Sequence, residues 1–211
     1  MPTKNAKTTR STRPARPSAR ERLLTAASEL FYAEGVHTVG IDRIIERADV
    51  AKASLYSTFG NKDGLVSAYL DGRHQLVRER VERTMTRFRT PRERLIGVFD
   101  EVGERVTSPG FNGCAFVAAS AESLPGGVVQ AASDHHRGWM RGFLTELAAE
   151  AGVADPENLA HQLHMLYDGA VLAGRMDHDP SGATAARDAA IALYDAAPKT
   201  TPAPAPRNPA A

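Results

Sequence analysis

A group of polar side chains that can bind phosphate or the edges of bases lies between residues 52 and 58. The segment carries one lysine, one tyrosine and three hydroxyl residues, and none of its side chains is acidic. Such groups donate hydrogen bonds to phosphate oxygens and to base edges, and a segment without carboxylates does not repel a polyanion. The candidates are Lys52, Ser54, Tyr56, Ser57 and Thr58.

Two short helices joined by a sharp turn must position these side chains. The first has apolar residues on one face, and Gly40 is an acceptable N-cap. Asp49 tolerates the left-handed conformation that such a turn requires. The second helix is predicted from about Lys52 to Phe59, with Leu55 and Phe59 facing inward. The inward residues of the first helix are Ile41, Ile44, Ile45 and Ala48.

These residues also form a motif with fixed spacing. Gly35 follows a preceding helix, and the later steps are Ala48-Asp49-Val50, Ser54-Leu55-Tyr56 and Phe59-Gly60-Asn61-Lys62. The run from Gly35 to Leu65 resembles the DNA-binding domain of the TetR family of transcriptional regulators. In that family the corresponding steps read Ala-Gly-Val at the turn, Thr-Leu-Tyr in the recognition helix and Phe-x-Ser/Asn-Lys before the fourth helix.

The resemblance implies a role for each matched position. The recognition helix enters the major groove of an operator, and Lys62 clamps a phosphate at the start of the fourth helix. Three departures affect this surface, because Gly40 replaces threonine, Thr58 replaces histidine and Asp49 brings a negative charge close to the DNA. The residues expected to face base edges are Lys52, Ala53 and Ser57, and those expected to contact phosphates are Ser54, Tyr56 and Thr58.

The rest of the chain is predicted to be all-α. Its 211 residues are 42% hydrophobic and 24% charged, which is enough to bury a sizeable core. Apolar residues recur at helical spacing between widely separated prolines. Eleven basic and six acidic residues precede position 63, so this part carries +5, whereas the whole chain carries only +1. A basic head on an acidic body fits a protein whose first part binds a polyanion.

Four segments are predicted. Residues 1–17 form a disordered basic leader, and 18–64 form the helix-turn-helix DNA-binding domain. A fourth helix, about 62–89, links it to a helical ligand-binding and dimerisation domain at 65–197. Residues 198–211 form a disordered Ala/Pro tail.

The resemblance implies a homodimer, because two recognition helices must reach half-sites about 34 to 36 Å apart or a multiple of that distance. The family's last two long helices form the dimer interface, and small residues there allow close approach, although they equally suit core positions. The small residues in question are Gly169, Ala170, Gly174, Ala186, Ala189 and Ala190.

By the same analogy, a pocket for a small-molecule effector is expected in the second domain. Large or soft residues and two histidines suit an apolar cavity with a few polar groups. Aromatic residues at helical spacing are also common in plain cores. The candidates are Phe111, Cys114, Phe116, His136, Trp139, Phe143, His164, Met165 and Tyr167.

Other functions are less well supported. An enzyme is not expected, because Cys114 lies in an Ala/Val-rich segment without an activating partner. The spacing of His161, His164 and Asp168 leaves a metal-responsive regulator open, and Cys114 leaves a redox-responsive one open. No cofactor is predicted. The chain begins without an apolar leader and has no apolar run of membrane-spanning length, so a cytoplasmic regulator is expected, either repressor or activator.

Overall fold

The computed structural model describes residues 16–200. Within that range the protein consists of nine helices and one isolated β-bridge, which confirms the predicted all-α fold. None of these helices is long and apolar enough to cross a membrane. The helices are α1 Ala19–Glu34, α2 Ile41–Ala48, α3 Lys52–Phe59, α4 Lys62–Met85, α5 Pro91–Val106, α6 Ala115–Glu122, α7 Val128–Glu150, α8 Pro156–Asp177 and α9 Ser181–Ala196.

Helix α1 is fixed at both ends by local chemistry. The Ser18 hydroxyl accepts a hydrogen bond from the Glu21 amide at 3.2 Å, and the Glu21 carboxylate accepts one from the Ser18 amide at 2.7 Å. This reciprocal pair is a capping box. Gly35 ends the helix with φ of 94°, a conformation that favours glycine. Leu23, Ala27 and Phe31 form the buried face, as the helical spacing predicted.

The turn between α2 and α3 has the predicted geometry. Asp49 is left-handed, with φ of 51° and ψ of 57°. The Arg22 guanidinium donates to the Ala48 carbonyl at 3.0 Å and also to the Asp49 carbonyl. Cationic donors at a helix C-terminus satisfy its free carbonyls and oppose the helix dipole. Leu55 is fully buried and fixes the inner face of α3 against the rest of the protein, so the opposite face of α3 points outward.

Helix α4 passes through two separate hydrophobic cores. In its first half, Leu65 and Leu70 pack with α1, α2, α3 and α6 in what we call the head core. In its second half, Val77 and Val81 pack with α5, α7, α8 and α9 in the body core. The two cores therefore share α4.

Helix α4 ends at Met85, earlier than the predicted residue 89. The next helix begins with Pro91 after a Thr90 N-cap, and a residue that precedes proline disfavours helical backbone. The turn also lets Phe88 pack on α5, where a Cβ at Gly97 would lie 2.1 Å from the Phe88 ring. This close approach requires glycine at position 97.

Most of the small residues in α8 and α9 pack within the protomer. Ala170, Gly174, Ala186 and Ala190 are buried. A Cβ at Gly174 would lie 2.4 Å from Val106 Cγ2, so this glycine allows α8 to approach α5. Ala189 is half-buried and Gly169 is exposed. The core alternative therefore holds for the four buried residues.

Three residues of the predicted tail are ordered. Ala154 donates a backbone hydrogen bond to Pro198 at 2.8 Å, and Thr200 donates one to Gly152 at 2.8 Å. The Lys199 ammonium lies 3.5 Å from the centre of the Tyr194 ring, a cation–π contact that holds this segment against α9. Residues 198–200 of the predicted tail therefore pack against residues 152–154 and α9. The remainder of the tail, 201–211, and leader residues 1–15 lie outside the described range.

Candidate nucleic-acid interface and cavity

The outer surface of α3 carries the side chains that the sequence predicted for DNA binding. Lys52, Ala53, Ser57 and Thr58 are exposed, and the Tyr56 side chain projects outward with 44% of the residue exposed. Ser54 and Lys62 are half-buried at the edge of this surface. The structure brings all seven candidates to one region of the head.

Several of these polar groups are already engaged within the protein. The hydroxyls of Ser57 and Thr58 donate to the Ser54 carbonyl at 3.2 and 2.6 Å. Each hydroxyl oxygen can still accept a hydrogen bond, but its hydrogen must turn away from the helix to reach a phosphate. The Lys52 ammonium lies 2.9 Å from the Asp42 carboxylate, whose hydrogen bond raises the pKa of Lys52 above its usual value. Lys52 therefore stays charged, and the predicted contact with DNA requires it to exchange this partner.

The negative charge of Asp49 is neutralised locally. Its carboxylate forms an ion pair with Arg16 and lies 3.6 Å from the Arg22 guanidinium. The carboxylate is 83% exposed, so these contacts are screened by water and contribute little to stability. They nevertheless place two positive charges beside the single negative one at the turn.

The start of α4 presents a second potential phosphate site. Asn61 caps the helix, since its side-chain oxygen accepts a hydrogen bond from the Gly64 amide at 2.9 Å. The Lys62 ammonium lies 3.4 Å from the His37 carbonyl, which holds it near the helix N-terminus. Backbone N–H groups and the helix dipole favour an anion at this position.

A cavity of about 530 Å³ lies where the head core meets the body core. Its walls come from α1, α4, α5, α6, α7 and α8 and from the loop before α6. This volume falls within the range of small-molecule sites, about 300 to 1,000 Å³. Of the predicted pocket residues, four line it: Cys114, Phe116, His136 and Tyr167.

His136 contributes a neutral aromatic surface to the cavity. Its ring stacks on Phe116 with centroids 4.0 Å apart, and its Nδ1 lies 3.1 Å from His74 Nδ1. Burial, reinforced by the neighbouring His74, lowers the pKa of His136 to about 3. One of the two facing nitrogens must carry a hydrogen and the other must accept it, so the pair links α4 to α7 only while at least one ring is neutral.

Comparison with known proteins identifies the family. Residues 23–69 match the model for bacterial regulatory proteins of the tetR family. The crystal structure of a TetR-family transcriptional regulator from Streptomyces coelicolor is 37% identical, with 84% of this chain and 94% of that chain covered and a TM-score of 0.78. The chain belongs to the TetR family of transcriptional regulators. This TetR-family protein is also similar to a solved structure from Streptomyces avermitilis, with 31% identity over 83% of this chain and 99% of that one and a TM-score of 0.71.

A curated relative matches a short part of the chain. The HTH-type transcriptional activator FasR of Mycolicibacterium smegmatis is 46% identical over 55 residues. The match covers 26% of this TetR-family chain and 25% of the relative's length.

The other predicted pocket residues lie elsewhere in this TetR-family protein. Phe111, Trp139 and Phe143 pack partly buried against the body core. His164 is buried beside Asp168, at 3.7 Å, and does not line the cavity. Met165 is 62% exposed because it lies on the opposite face of α8 from Tyr167.

The residues whose spacing left a metal-responsive regulator open do not gather around one point. His161 is exposed, whereas His164 is buried, and Asp168 accepts a hydrogen bond from Arg137 at 2.6 Å. In residues 16–200, no three His, Cys, Asp or Glu side chains are grouped so that they can hold a metal ion.

The sequence analysis missed the charged residues of the cavity. Arg73, Arg105, Arg137 and Arg175 all line it, and Arg105 is the one that is deeply buried. A signal for Arg105 was available, because Glu101 and Arg105 are four residues apart within the apolar stripe of α5. A charged pair on the buried face of a helix indicates a polar site inside the protein.

Proposed function

We propose that this TetR-family protein is a ligand-responsive repressor that binds a palindromic operator as a homodimer and is released by a small-molecule effector. The observation that carries the proposal is the outward face of α3, which presents a lysine, hydroxyls and a tyrosine on a helix anchored by buried Leu55. Such a face fits the major groove, where phosphate contacts set the register and base-edge contacts select the sequence. We expect it to act in the cytoplasm, where the chromosome of a bacterium lies.

An apolar stripe on α8 supports the homodimer. Met165, Leu172 and Met176 are 62%, 54% and 69% exposed and lie together with Gly169 on one face of the helix. On helix α9, which packs against α8, Ala185 and other small residues are also exposed. Small side chains allow close packing of a second copy, and large exposed apolar groups provide the area that it buries.

Helix α6 and helix α4 can both transmit effector binding to the head. Beside α6, Asn112 donates from its backbone to the Tyr32 hydroxyl at 2.8 Å and from its side chain to the Tyr32 carbonyl at 2.6 Å. At the other end of α6, the Glu122 carboxylate accepts a hydrogen bond from the His37 amide at 2.7 Å. An effector that prefers a different placement of α6 or α4 therefore shifts the head and changes operator affinity by its differential affinity for the two states.

The second candidate function is transcriptional activation instead of repression. The match to FasR, which is a transcriptional activator, favours activation. A reporter gene placed behind the selected operator decides between the two. Repression predicts higher expression when the regulator is deleted, and activation predicts lower expression.

The experiment that tests the proposal is selection of bound sequences from a random duplex library with the purified full-length chain, followed by salt titration. We expect a palindromic site, bound by two protomers, whose affinity falls steeply as salt rises. The Leu172→Glu variant should lower both dimer content and operator affinity, while the exposed Arg141→Ala variant should leave dimer content unchanged. If no sequence is enriched, or if a single protomer binds an asymmetric site, the proposal is wrong.

Ser57 provides a test of base reading on the same selected operator. Its side chain is exposed on the face of α3 that points toward the groove. The Ser57→Ala variant should bind the operator with altered preference at the contacted base pair, by about 1 kcal/mol. A repeated selection measures the change. If the variant prefers the same sequence to the same degree, Ser57 does not read bases.

A further inference from the structure

One arginine is buried in the wall of the cavity. The Arg105 side chain is only 9% exposed, yet it lines the cavity. Its Nη2 donates to the Tyr167 hydroxyl at 3.0 Å. Because a buried cation is costly unless paired and hydrogen-bonded, the partners of Arg105 indicate what this site is built to hold.

The pairing of Arg105 within the protein is incomplete. Glu101 is fully buried and lies 3.6 Å from Arg105 and 3.4 Å from Arg80, so one carboxylate serves two guanidinium groups. The Arg105 Nε is the atom that lies 3.6 Å from the Glu101 carboxylate; it is buried, and at this distance it makes no hydrogen bond among residues 16–200. Because one carboxylate is shared by two guanidinium groups, excess positive charge remains beside the cavity wall.

The acidic residues on the cavity wall have other partners. Glu34 accepts a hydrogen bond from Arg43 at 2.7 Å, and Glu122 accepts one from the His37 amide at 2.7 Å. Asp168 accepts one from Arg137 at 2.6 Å. His136 is neutral, because burial lowers its pKa to about 3. None of these groups makes a contact that neutralises the positive charge of Arg105.

Tyr167 offers a second donor beside Arg105. Its oxygen accepts the hydrogen bond from Arg105, so its own hydrogen is free to be donated to another acceptor. Burial raises the pKa of Tyr167, so the phenol keeps this hydrogen at neutral pH. The hydroxyl and the guanidinium can therefore hold the same oxygen-bearing group.

The N-terminal end of α6 lies in the same wall. The cavity is lined by the run from Asn112 to Val117, and Ala118 donates the first backbone hydrogen bond of the helix, to Cys114. The preceding N–H groups have no intrahelical partner, and Cys114 makes no side-chain cap. A helix end of this kind attracts negative charge. It supports the same ligand chemistry as Arg105 and Tyr167.

We propose that the cavity binds a carboxylate carried on an apolar body, with the carboxylate held by Arg105 and Tyr167 near the start of α6. The apolar body lies against the aromatic wall, where Phe31, Phe116 and the neutral His136 face the cavity. Charge-assisted hydrogen bonds to a guanidinium select a carboxylate over a neutral group of the same shape. This inference names the class of effector and rests on the proposed function only for its link to DNA release.

Matched acids and amides test the site directly. Decanoate and 2-naphthoate are titrated against decanamide and 2-naphthamide, with binding followed by calorimetry and by the fluorescence of Trp139, the single tryptophan of the chain. We expect at least one acid to bind about tenfold or more tightly than its amide. The Tyr167→Phe variant should weaken binding of that acid about tenfold and alter amide binding much less.

The control variant is Tyr194→Phe. This buried tyrosine donates to the Ala151 carbonyl at 3.0 Å, away from the cavity, so the change removes a comparable hydroxyl without touching the site. Its affinity for the acid should match that of the unaltered protein. Thermal unfolding of each variant separates loss of the site from loss of the fold, and Arg105→Met is informative only where the variant still unfolds cooperatively.

The outcomes separate this inference from the proposed function. Equal binding of acids and amides, or no saturable binding of either acid up to about 1 mM, overturns the carboxylate site. Acid binding that leaves operator affinity unchanged supports the site and contradicts release by this ligand class. Release of DNA by a neutral compound without acid binding supports the proposed function and overturns the inference.

Discussion

The surface of α3 and the cavity differ in how their residues are brought together. Six of the seven candidate DNA contacts lie within residues 52–58, on one helix. The cavity draws its wall from six helices, and its lining residues extend along the chain from Phe31 to Arg175. A site on one helix follows from local spacing, whereas a cavity depends on how distant helices pack. The two regions also differ in burial, which decides how costly it is to change their charges.

A matched pair of core truncations tests whether the two regions are separate folding units. Leu70 is fully buried in the head core, and Leu144 is fully buried in the body core. Leu→Ala at either position should lower the free energy of unfolding by about 2 to 5 kcal/mol. Because α4 runs through both cores, we expect one shared transition in denaturant unfolding followed by circular dichroism. Two transitions, each shifted by only one variant, would show that head and body unfold independently.

The histidines of the body make stability depend on pH. In the folded protein burial lowers the pKa of His136 to about 3, compared with a usual value near 6.5 when unfolded. Its contribution to stability is therefore complete above about pH 6.5 and is lost as the pH falls toward 3, by about 2 kcal/mol at pH 5. Urea unfolding at pH 7 and pH 5 measures this loss. His164, whose pKa burial also lowers, acts in the same direction.

The His136→Gln variant should show a smaller loss of stability between pH 7 and pH 5 than the unaltered protein. The exposed His161→Gln variant serves as the control and should retain the full dependence. An unchanged pH dependence in His136→Gln would mean that other groups cause it.

Phosphate contacts on the head should affect all DNA sequences alike. Tyr56→Phe combined with Lys62→Ala should weaken binding about tenfold and lower the slope of affinity against salt by about one ion, because each residue is predicted to contact backbone phosphates. Fluorescence anisotropy with the selected operator and with a scrambled duplex measures both quantities. A weakening confined to the operator would assign these residues to base reading, and an unchanged salt slope would remove Lys62 from the DNA contacts.

The smallest expected effect is a gain in stability at the start of α3. Ala51 is its N-cap, and it makes no side-chain hydrogen bond to the helix. Ala51→Ser supplies an acceptor for the free N–H groups and should raise the free energy of unfolding by about 0.5 to 1 kcal/mol. Ala53→Ser, two residues further along and inside the helix, should give no gain. Equal effects at both positions would show that capping is not the cause.

The sequence predicted the head more completely than the cavity, for physical reasons. The turn at Asp49 and the bounds of α2 and α3 follow from local backbone preferences and helical spacing, which the chain itself displays. Met165 and Tyr167 are only two residues apart, yet one is exposed and the other lines the cavity, because the orientation of α8 depends on its neighbours. Residues 198–200 were likewise unpredictable, since their partners at 152–154 lie outside any local pattern.

Because α4 is long and packs in both cores, a small tilt of its body end moves its head end by a larger distance. A helix of 24 residues is a rod about 36 Å long, so a tilt of about 5° at its body end moves the head end by about 3 Å. That displacement is close to the 3.4 Å that separates successive nucleotides along one DNA strand. In a symmetric dimer the two heads move in opposite senses, so their displacements add. A rotation too small to disturb the packing of the body can therefore move one recognition helix out of alignment with its half-site.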